Sequence, residues 1–184
     1  MGAPNWFLAL PLPPRARWLE AAASAPPELR RFARDDLHLT LAFLGPCGEQ
    51  AALQAWGRLN ALRSPPIPIS AGGWRALGPP QRPSAYGLTL SQGHQPLCDL
   101  MQRWEFQALE ATGLPPPART PLPHVTLLRP RRRDAIRWIE PMRAWMERAP
   151  RPQGTVLLEE LALWTWDPLR RQRLFRTVLR RPLT

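Results

Sequence analysis

Residues 36–45 of this chain are DLHLTLAFLG, and residues 121–130 are PLPHVTLLRP. Both stretches contain His-x-Thr-Leu, at 38–41 and at 124–127, and both continue into apolar residues. The two copies begin 86 residues apart in a chain of 184 residues that has only three histidines. Chance would produce such a repeat in roughly one chain in ten thousand. We therefore interpret the two stretches as strands that contribute to one shared site.

The first copy predicts a strand with one polar and one apolar face. Residues i and i+2 of a strand project to the same side, so His38 and Thr40 are expected to point together. Leu39, Leu41 and Phe43 are expected to point the other way, into a core.

The second copy repeats this arrangement with His124 and Thr126. Two lobes related by an approximate half-turn would place the two polar faces opposite each other. Arg129 follows His124 by five residues, so on an ideal strand it faces away from the histidine. The guanidinium of Arg129 is expected to reach the same site only if the chain turns as it approaches Pro130.

Two imidazoles and two hydroxyls suit a displacement at phosphorus. With an ordinary pKa near 6.5, one histidine can accept a proton from water while the other donates a proton to the departing alkoxide. The Thr40 and Thr126 hydroxyls can donate to the non-bridging oxygens, where charge concentrates in the transition state. Such a pair is expected to hold its reactive nitrogens roughly 5–8 Å apart across an open cleft.

The composition fits one soluble globular domain or two small fused lobes, with 44% hydrophobic and 21% charged residues. A net charge of +11 points to a polyanionic partner such as nucleic acid. All 25 basic residues are arginine, however, which is also what the codon bias of a GC-rich genome produces. The charge alone therefore leaves both explanations open.

The absence of lysine excludes several classes of enzyme. A phosphate-binding P-loop needs its lysine, as do Schiff-base chemistry and the lysyl–nucleotide intermediate of ATP-dependent ligases. Cys47 and Cys98 are too few for a disulfide scaffold, and we expect two reduced thiols. His94 lies in the turn-like segment SQGHQP, and no short ligand spacing supports a metal site. We expect no metal and no cofactor.

The apolar residues 5–12 are too short and too interrupted by proline for a membrane helix, and no basic segment precedes them. We expect a cytoplasmic protein with no membrane association.

Strands and helices are predicted to mix without the regular alternation of a doubly wound fold, which favours the α+β class. The patterns predict strands at 6–10, 37–45, 67–75, 84–91, 124–130, 155–166 and 172–180, the last two forming a hairpin around Asp167–Pro168. Helices are predicted at 15–23, 48–62, 96–112 and 134–148, with a kink or break at Pro141.

The two motifs resemble the paired HxTx signatures of the two-histidine (2H) phosphoesterase superfamily. Within it, the chain is most similar to the bacterial and archaeal RNA 2′,3′-cyclic phosphodiesterases, also called the 2′–5′ RNA ligase family. The resemblance extends to WFLALPLP (6–13), AYGLTL (85–90) and the closing hairpin, and so covers nearly the whole chain.

The resemblance implies one domain over residues 1–184, built from two pseudo-symmetric lobes around a central cleft. Each lobe would hold an antiparallel sheet, flanking helices and one motif. The implied reaction is metal-independent hydrolysis of an RNA 2′,3′-cyclic phosphate end to a 2′-phosphomonoester. His38 would be the proton donor and His124 the proton acceptor, with Thr40, Thr126 and Arg129 binding the phosphate. The implied partner is RNA, for example tRNA fragments, and we expect a monomer.

The closing hairpin departs from the family pattern. Thr165 and Phe175 stand where relatives usually carry a serine and a tyrosine, which leaves the nucleotide preference open. Several aromatic residues are candidates for stacking on a base: Trp74, Tyr86, Trp164, Trp166 and Phe175.

Two alternatives remain at this point. One is ATP-independent 2′–5′ RNA ligation, the reverse reaction, in which a 5′-hydroxyl takes the place of water. The other is a non-catalytic RNA-binding module, which would not need paired His-x-Thr faces.

Overall fold

The computed structural model describes residues 2–169 and 173–184, without the side chain of Arg132. In these residues the strands are β1 (Trp6–Pro11), β2 (Arg30–Arg31), β3 (His38–Gly45), β4 (Ile67–Leu77), β5 (Ala85–Gln92), β6 (His124–Arg129), β7 (Thr155–Leu158), β8 (Glu160–Trp166) and β9 (Phe175–Pro182). The α-helices are α1 (Glu49–Arg58), α2 (His94–Glu110) and α3 (Ile139–Arg148).

All these strands belong to one antiparallel sheet. Eight of them follow the order β7-β4-β5-β6-β3-β1-β8-β9, and the short β2 pairs with β6 off this path. The α+β class is therefore confirmed. The two motif strands, β3 and β6, are neighbours at the centre of the sheet, with four strands on either side of the boundary between them. They lie side by side as neighbouring strands, so the expectation that a half-turn sets them face to face was wrong.

The pairing of the motif strands sets the layout of their side chains. Leu39 pairs with Val125 in an antiparallel register. One residue to either side of that pair, the register brings His38 across from Thr126 and Thr40 across from His124.

The strands and helices pack through a continuous apolar core. Leu8, Leu10 and Leu39 in the central strands have 0% exposed surface. Helix α2 packs against β3 and α1, and it buries Leu97 and Ala108 completely. Across the described residues, no helix combines the length and the hydropathy needed to cross a membrane.

The predicted helix at 15–23 is reduced to a short 3₁₀ helix over Trp18–Ala22. Pro13 and Pro14 precede this segment and Pro26 and Pro27 follow it, which limits how far a helix can extend in either direction.

The sequence predicted a helix break at Pro141, but the structure has the break two residues before this proline. A 3₁₀ helix over Arg132–Trp138 gives way to α3 at Ile139, so Pro141 is in the first turn of α3. There its missing N–H has no intrahelical partner to lose.

The predicted strand at 155–166 is divided at Glu159. Strand β7 pairs with β4, whereas β8 pairs with β1 on the other half of the sheet. The last part of the chain therefore contributes strands to both halves. The predicted closing strand began at residue 172, which lies outside the described residues; the observed strand β9 begins at Phe175.

Candidate active site

A one-residue bulge follows the threonine of each motif. Ala9 pairs with Thr40 and Leu8 with Ala42, which makes Leu41 an extra residue in β3. Gly87 pairs with Thr126 and Tyr86 with Leu128, which makes Leu127 the corresponding extra residue in β6. The two motifs thus share their local backbone irregularity as well as their sequence.

Each bulge reverses the alternation of side chains beyond it. Phe43 and Arg129, each five residues after a motif histidine, consequently project on the same side as the histidine and threonine. Phe43 is 52% exposed, so its predicted burial in the core was wrong. Arg129 reaches the histidine face because of the bulge at Leu127, before the chain arrives at Pro130.

A cleft of about 790 Å³ opens on this face of the sheet. Four of the five residues predicted for the site line it, namely Thr40, His124, Thr126 and Arg129. The wall also includes residues that the sequence did not single out for the site, among them Phe43, Arg75 and Arg119.

His38, the fifth predicted residue, is not among the described residues that line the cleft. Its partly buried ring lies within an aromatic cluster, with centroid distances of 4.9 Å to Phe7, 4.9 Å to Trp164 and 5.5 Å to Phe175. His38 and His124 form a diagonal pair across β3 and β6. Such pairs lie about 7–8 Å apart in antiparallel sheets, so long side chains can act on a common group between them.

The two histidines are anchored in the same way. His38 Nδ1 lies 2.7 Å from the carbonyl oxygen of Asp36, and His124 Nδ1 lies 2.6 Å from that of Leu122. A carbonyl only accepts, so Nδ1 of each ring carries the proton and donates. In each ring, Nε2 is therefore the nitrogen that can take up or release a proton.

The two anchoring carbonyls are themselves held in different ways. The carboxylate of Asp36, which is only 1% exposed, accepts hydrogen bonds from the backbone N–H groups of Leu174 and Phe175 at 2.8–3.1 Å. This ties the segment before His38 to the start of β9. Leu122 instead stands between Pro121 and Pro123, whose rings fix φ on either side of it.

Burial depresses the pKa of both histidines. The pKa of His38 falls to about 4, mainly through desolvation and further through the charges of Arg129 and His124, against the opposing effect of its bond to Asp36. The pKa of His124 is also lowered, again mainly by desolvation, with contributions from Arg119 and Arg75. Without a ligand, the site is therefore rich in arginine charge and holds neutral imidazoles.

Arg75 and Arg119 could not be found from the motifs. Arg75 lies on β4 and pairs with Gly87, which in turn pairs with Thr126, so two strand pairings bring it to the site. Arg119 belongs to the proline-rich segment before the second motif and lines the cleft with Glu105 of α2. Burial raises the pKa of Glu105, and the charge of Arg119 acts against this.

None of the five aromatic residues considered for base stacking is among the described residues that line the cleft. Tyr86, Trp164 and Phe175 are buried, and the ring of Trp74 packs against that of Trp145 at 4.7 Å. The cleft aromatic is Phe43 instead. Thr165 is buried and donates to the carbonyl of Asn5 at 3.0 Å.

His94 is exposed at the start of α2, and its Nδ1 lies 3.6 Å from Sγ of Cys98. Cys47 and Cys98 carry free thiols. In the described part of the chain, no three histidine, cysteine or acidic side chains cluster as they would around a metal ion.

Solved structures similar to this protein match it along its whole length. A phosphoesterase superposes with a TM-score of 0.73 at 26% identity, covering 99% of both chains. E. coli LigT in complex with 3′-AMP superposes with a TM-score of 0.74 at 27% identity, over 98% of this chain and 99% of that one. A protein of Thermus thermophilus at 21% identity, with a TM-score of 0.66, shares the fold. No protein-family model and no curated protein matches the sequence.

The fold and the paired HxTx motifs are similar to those of the two-histidine phosphoesterases. Over its full length, the chain is similar to a phosphoesterase and to E. coli LigT, of the 2′–5′ RNA ligase family. This class performs phosphodiester chemistry on RNA ends.

Proposed function

We propose that this protein hydrolyses the 2′,3′-cyclic phosphate at an RNA 3′ end to a 2′-phosphomonoester without a metal ion. The observation that carries the proposal is the adjacency of β3 and β6, which sets two Nδ1-anchored imidazoles diagonally across one strand pair. Similarity to LigT supports nucleotide chemistry, since that protein has been crystallised with 3′-AMP and with ATP.

The proposed reaction is a single in-line displacement. His124 Nε2 removes a proton from water as the water oxygen forms a bond to phosphorus. The bond between phosphorus and O3′ breaks, and His38 Nε2 gives its proton to O3′, leaving the phosphate on O2′. The hydroxyls of Thr40 and Thr126 and the guanidinium of Arg129 stabilise the charge on the non-bridging oxygens.

This assignment of roles requires His38 to be protonated when the substrate is bound. In the free protein its depressed pKa of about 4 keeps the ring neutral at pH 7. The negative charge of a bound phosphodiester favours imidazolium and raises the pKa of both histidines. Substrate binding is therefore proposed to bring a proton to the site.

The two halves of the sheet are proposed to be the two lobes of one domain over residues 1–184. Each half has four strands with a motif strand at its inner edge, and each motif strand carries the same bulge. Strand β7 belongs to one half and β8 to the other, so the chain crosses from one lobe to the other near the C-terminus. We propose that the domain acts as a cytoplasmic monomer on RNA, for example on tRNA fragments.

Ligation is the second candidate activity. It would use the same two histidines with a 5′-hydroxyl in place of water, and dilute aqueous solution favours hydrolysis. A non-catalytic RNA-binding module would not need both imidazoles fixed in one tautomer.

The test is phosphorus NMR of a nucleoside 2′,3′-cyclic phosphate incubated with the protein in EDTA. We expect complete conversion to the 2′-phosphate, identified against both authentic isomers. A 3′-phosphate product would contradict the role of His38. Activity lost in EDTA and restored by one added metal would contradict the metal-free mechanism.

A further inference from the structure

A second groove opens from the cleft at one end. It has a volume of about 350 Å³ and is lined by Arg82, Pro83, Ser84, Arg129, Pro130 and Ala135. Ser84 and Arg129 also line the cleft, so the two depressions are continuous. We call this second depression the Arg82 groove.

The Arg82 groove has a lining suited to a nucleic-acid backbone. Its charged side chains are the two arginines, and the buried residues Pro83, Pro130 and Ala135 form its apolar floor. Arg82 is an exposed residue. Arginine favours phosphate because its planar fork of donors matches two phosphate oxygens.

The depression beside β8 and β9 is less positively charged than the Arg82 groove. Three acidic residues, Asp35, Glu159 and Glu160, line it together with Arg15 and Arg180. Among the described residues, it has no lining residue in common with the cleft. A polyanion leaving the cleft is therefore favoured at the Arg82 end over the end near β8 and β9.

We propose that the Arg82 groove binds the RNA strand upstream of the reacting end, with Arg82 contacting the phosphodiester on the 5′ side of the terminal nucleotide. This inference rests on the proposed function, because it starts from a cyclic phosphate held between the motif histidines. Arg129 lies at the junction, between the reacting phosphate and the upstream one. The site then recognises single-stranded RNA ends longer than one nucleotide in preference to free nucleotides.

The test compares two substrates, a nucleoside 2′,3′-cyclic phosphate and a five-nucleotide RNA that ends in the same group. Arg82→Ala is expected to lower kcat/KM for the RNA by about tenfold, the low end for a charge-assisted hydrogen bond at an exposed site. The mononucleotide should change by less than about twofold, since it lacks the upstream phosphodiester. The slope of log kcat/KM for the RNA against log salt should also become shallower by about 0.7, which corresponds to one phosphate contact.

Two matched variants serve as controls. Arg151→Ala removes an exposed arginine that lines a separate depression beside Trp18, and it should alter neither substrate. Arg180→Ala probes the β8–β9 end of the molecule and should also leave the ratio of the two substrates unchanged.

The outcomes separate this inference from the proposed function. If the wild type hydrolyses neither substrate, the proposed function fails. If it hydrolyses both but Arg82→Ala leaves their ratio unchanged, the Arg82 groove is not the RNA path. A selective loss in Arg180→Ala would place that path beside β8 and β9 and would overturn the inference.

Discussion

His38 and His124 are each held by a hydrogen bond of the same type, but the two residues lie in different surroundings. Each donates from Nδ1 to the carbonyl two residues earlier. Yet His38 is enclosed by aromatic rings, whereas His124 lines the open cleft. Both residues could be chosen as candidates from the sequence, because the repetition of the motif is visible there. The role of Asp36 was not predictable, since its carboxylate binds backbone groups 138 and 139 positions along the chain.

The depressed pKa values lead to a prediction about pH. Because the imidazoles are neutral in the free protein, a bound dianion should raise their pKa values and draw in protons. Sulfate remains a dianion across this range, so its affinity should increase as the pH falls from 7 to 5. The expected change approaches tenfold per pH unit for each proton taken up.

Calorimetry in buffers of different ionisation enthalpy would count these protons directly. His38→Ala and His124→Ala should each reduce the uptake, while His94→Ala should not. Sulfate binding that is independent of pH would contradict the charge state described for the free site.

At the scale of the strands, the bulges decide what enters the cleft. A regular strand would turn Phe43 and Arg129 away from the histidines, as the alternation of the sequence predicted. The sequence of neither motif indicates a bulge, because leucine, the residue type at the bulge positions 41 and 127, is common in regular strands. The bulges become visible only through pairing with β1 and β5, and those contacts cannot be deduced from local sequence.

Gly87 is the residue that allows β5 to approach β6 beside the second bulge. A Cβ atom at this position would lie 2.3 Å from the carbonyl oxygen of Val125 and 3.1 Å from Cα of Thr126. Both are backbone atoms, so the strand would have to move. We expect Gly87→Ala to lower the free energy of unfolding by about 1–3 kcal/mol. Displacement of Thr126 and His124 should reduce activity as well.

Urea denaturation measures the stability effect, and Gly73→Ala is the matched control. Gly73 lies on the neighbouring strand β4, and a Cβ atom there would meet nothing within 4 Å. Equal stability of the two variants would show that the close approach at Gly87 does not constrain the sheet.

At the scale of the whole molecule, the sequence predicted the fold class and most strands but not their arrangement. The α+β class, both motif strands and the helices α1 and α2 were expected within a few residues of their observed bounds. The division at Glu159 was not, because only Glu159 and Glu160 separate the apolar stretches of β7 and β8 in the sequence. Only the long-range partners β4 and β1 draw the two parts to different halves of the sheet.

We propose that one phosphate is processed by two histidines contributed by the two halves of the sheet. The most direct measurement is the turnover of a nucleoside 2′,3′-cyclic phosphate by His38→Ala, His124→Ala and the double variant, with His94→Ala as control. Each single variant should lose roughly 10²–10⁴-fold in kcat, as expected when a general acid or base is removed.

The double variant should lose far less than the product of the two single effects, because both residues act in one displacement. His94→Ala should match the wild type, since that residue is exposed at the start of α2. A double variant that retains full activity would contradict the account, because the reaction would then take place elsewhere in the molecule.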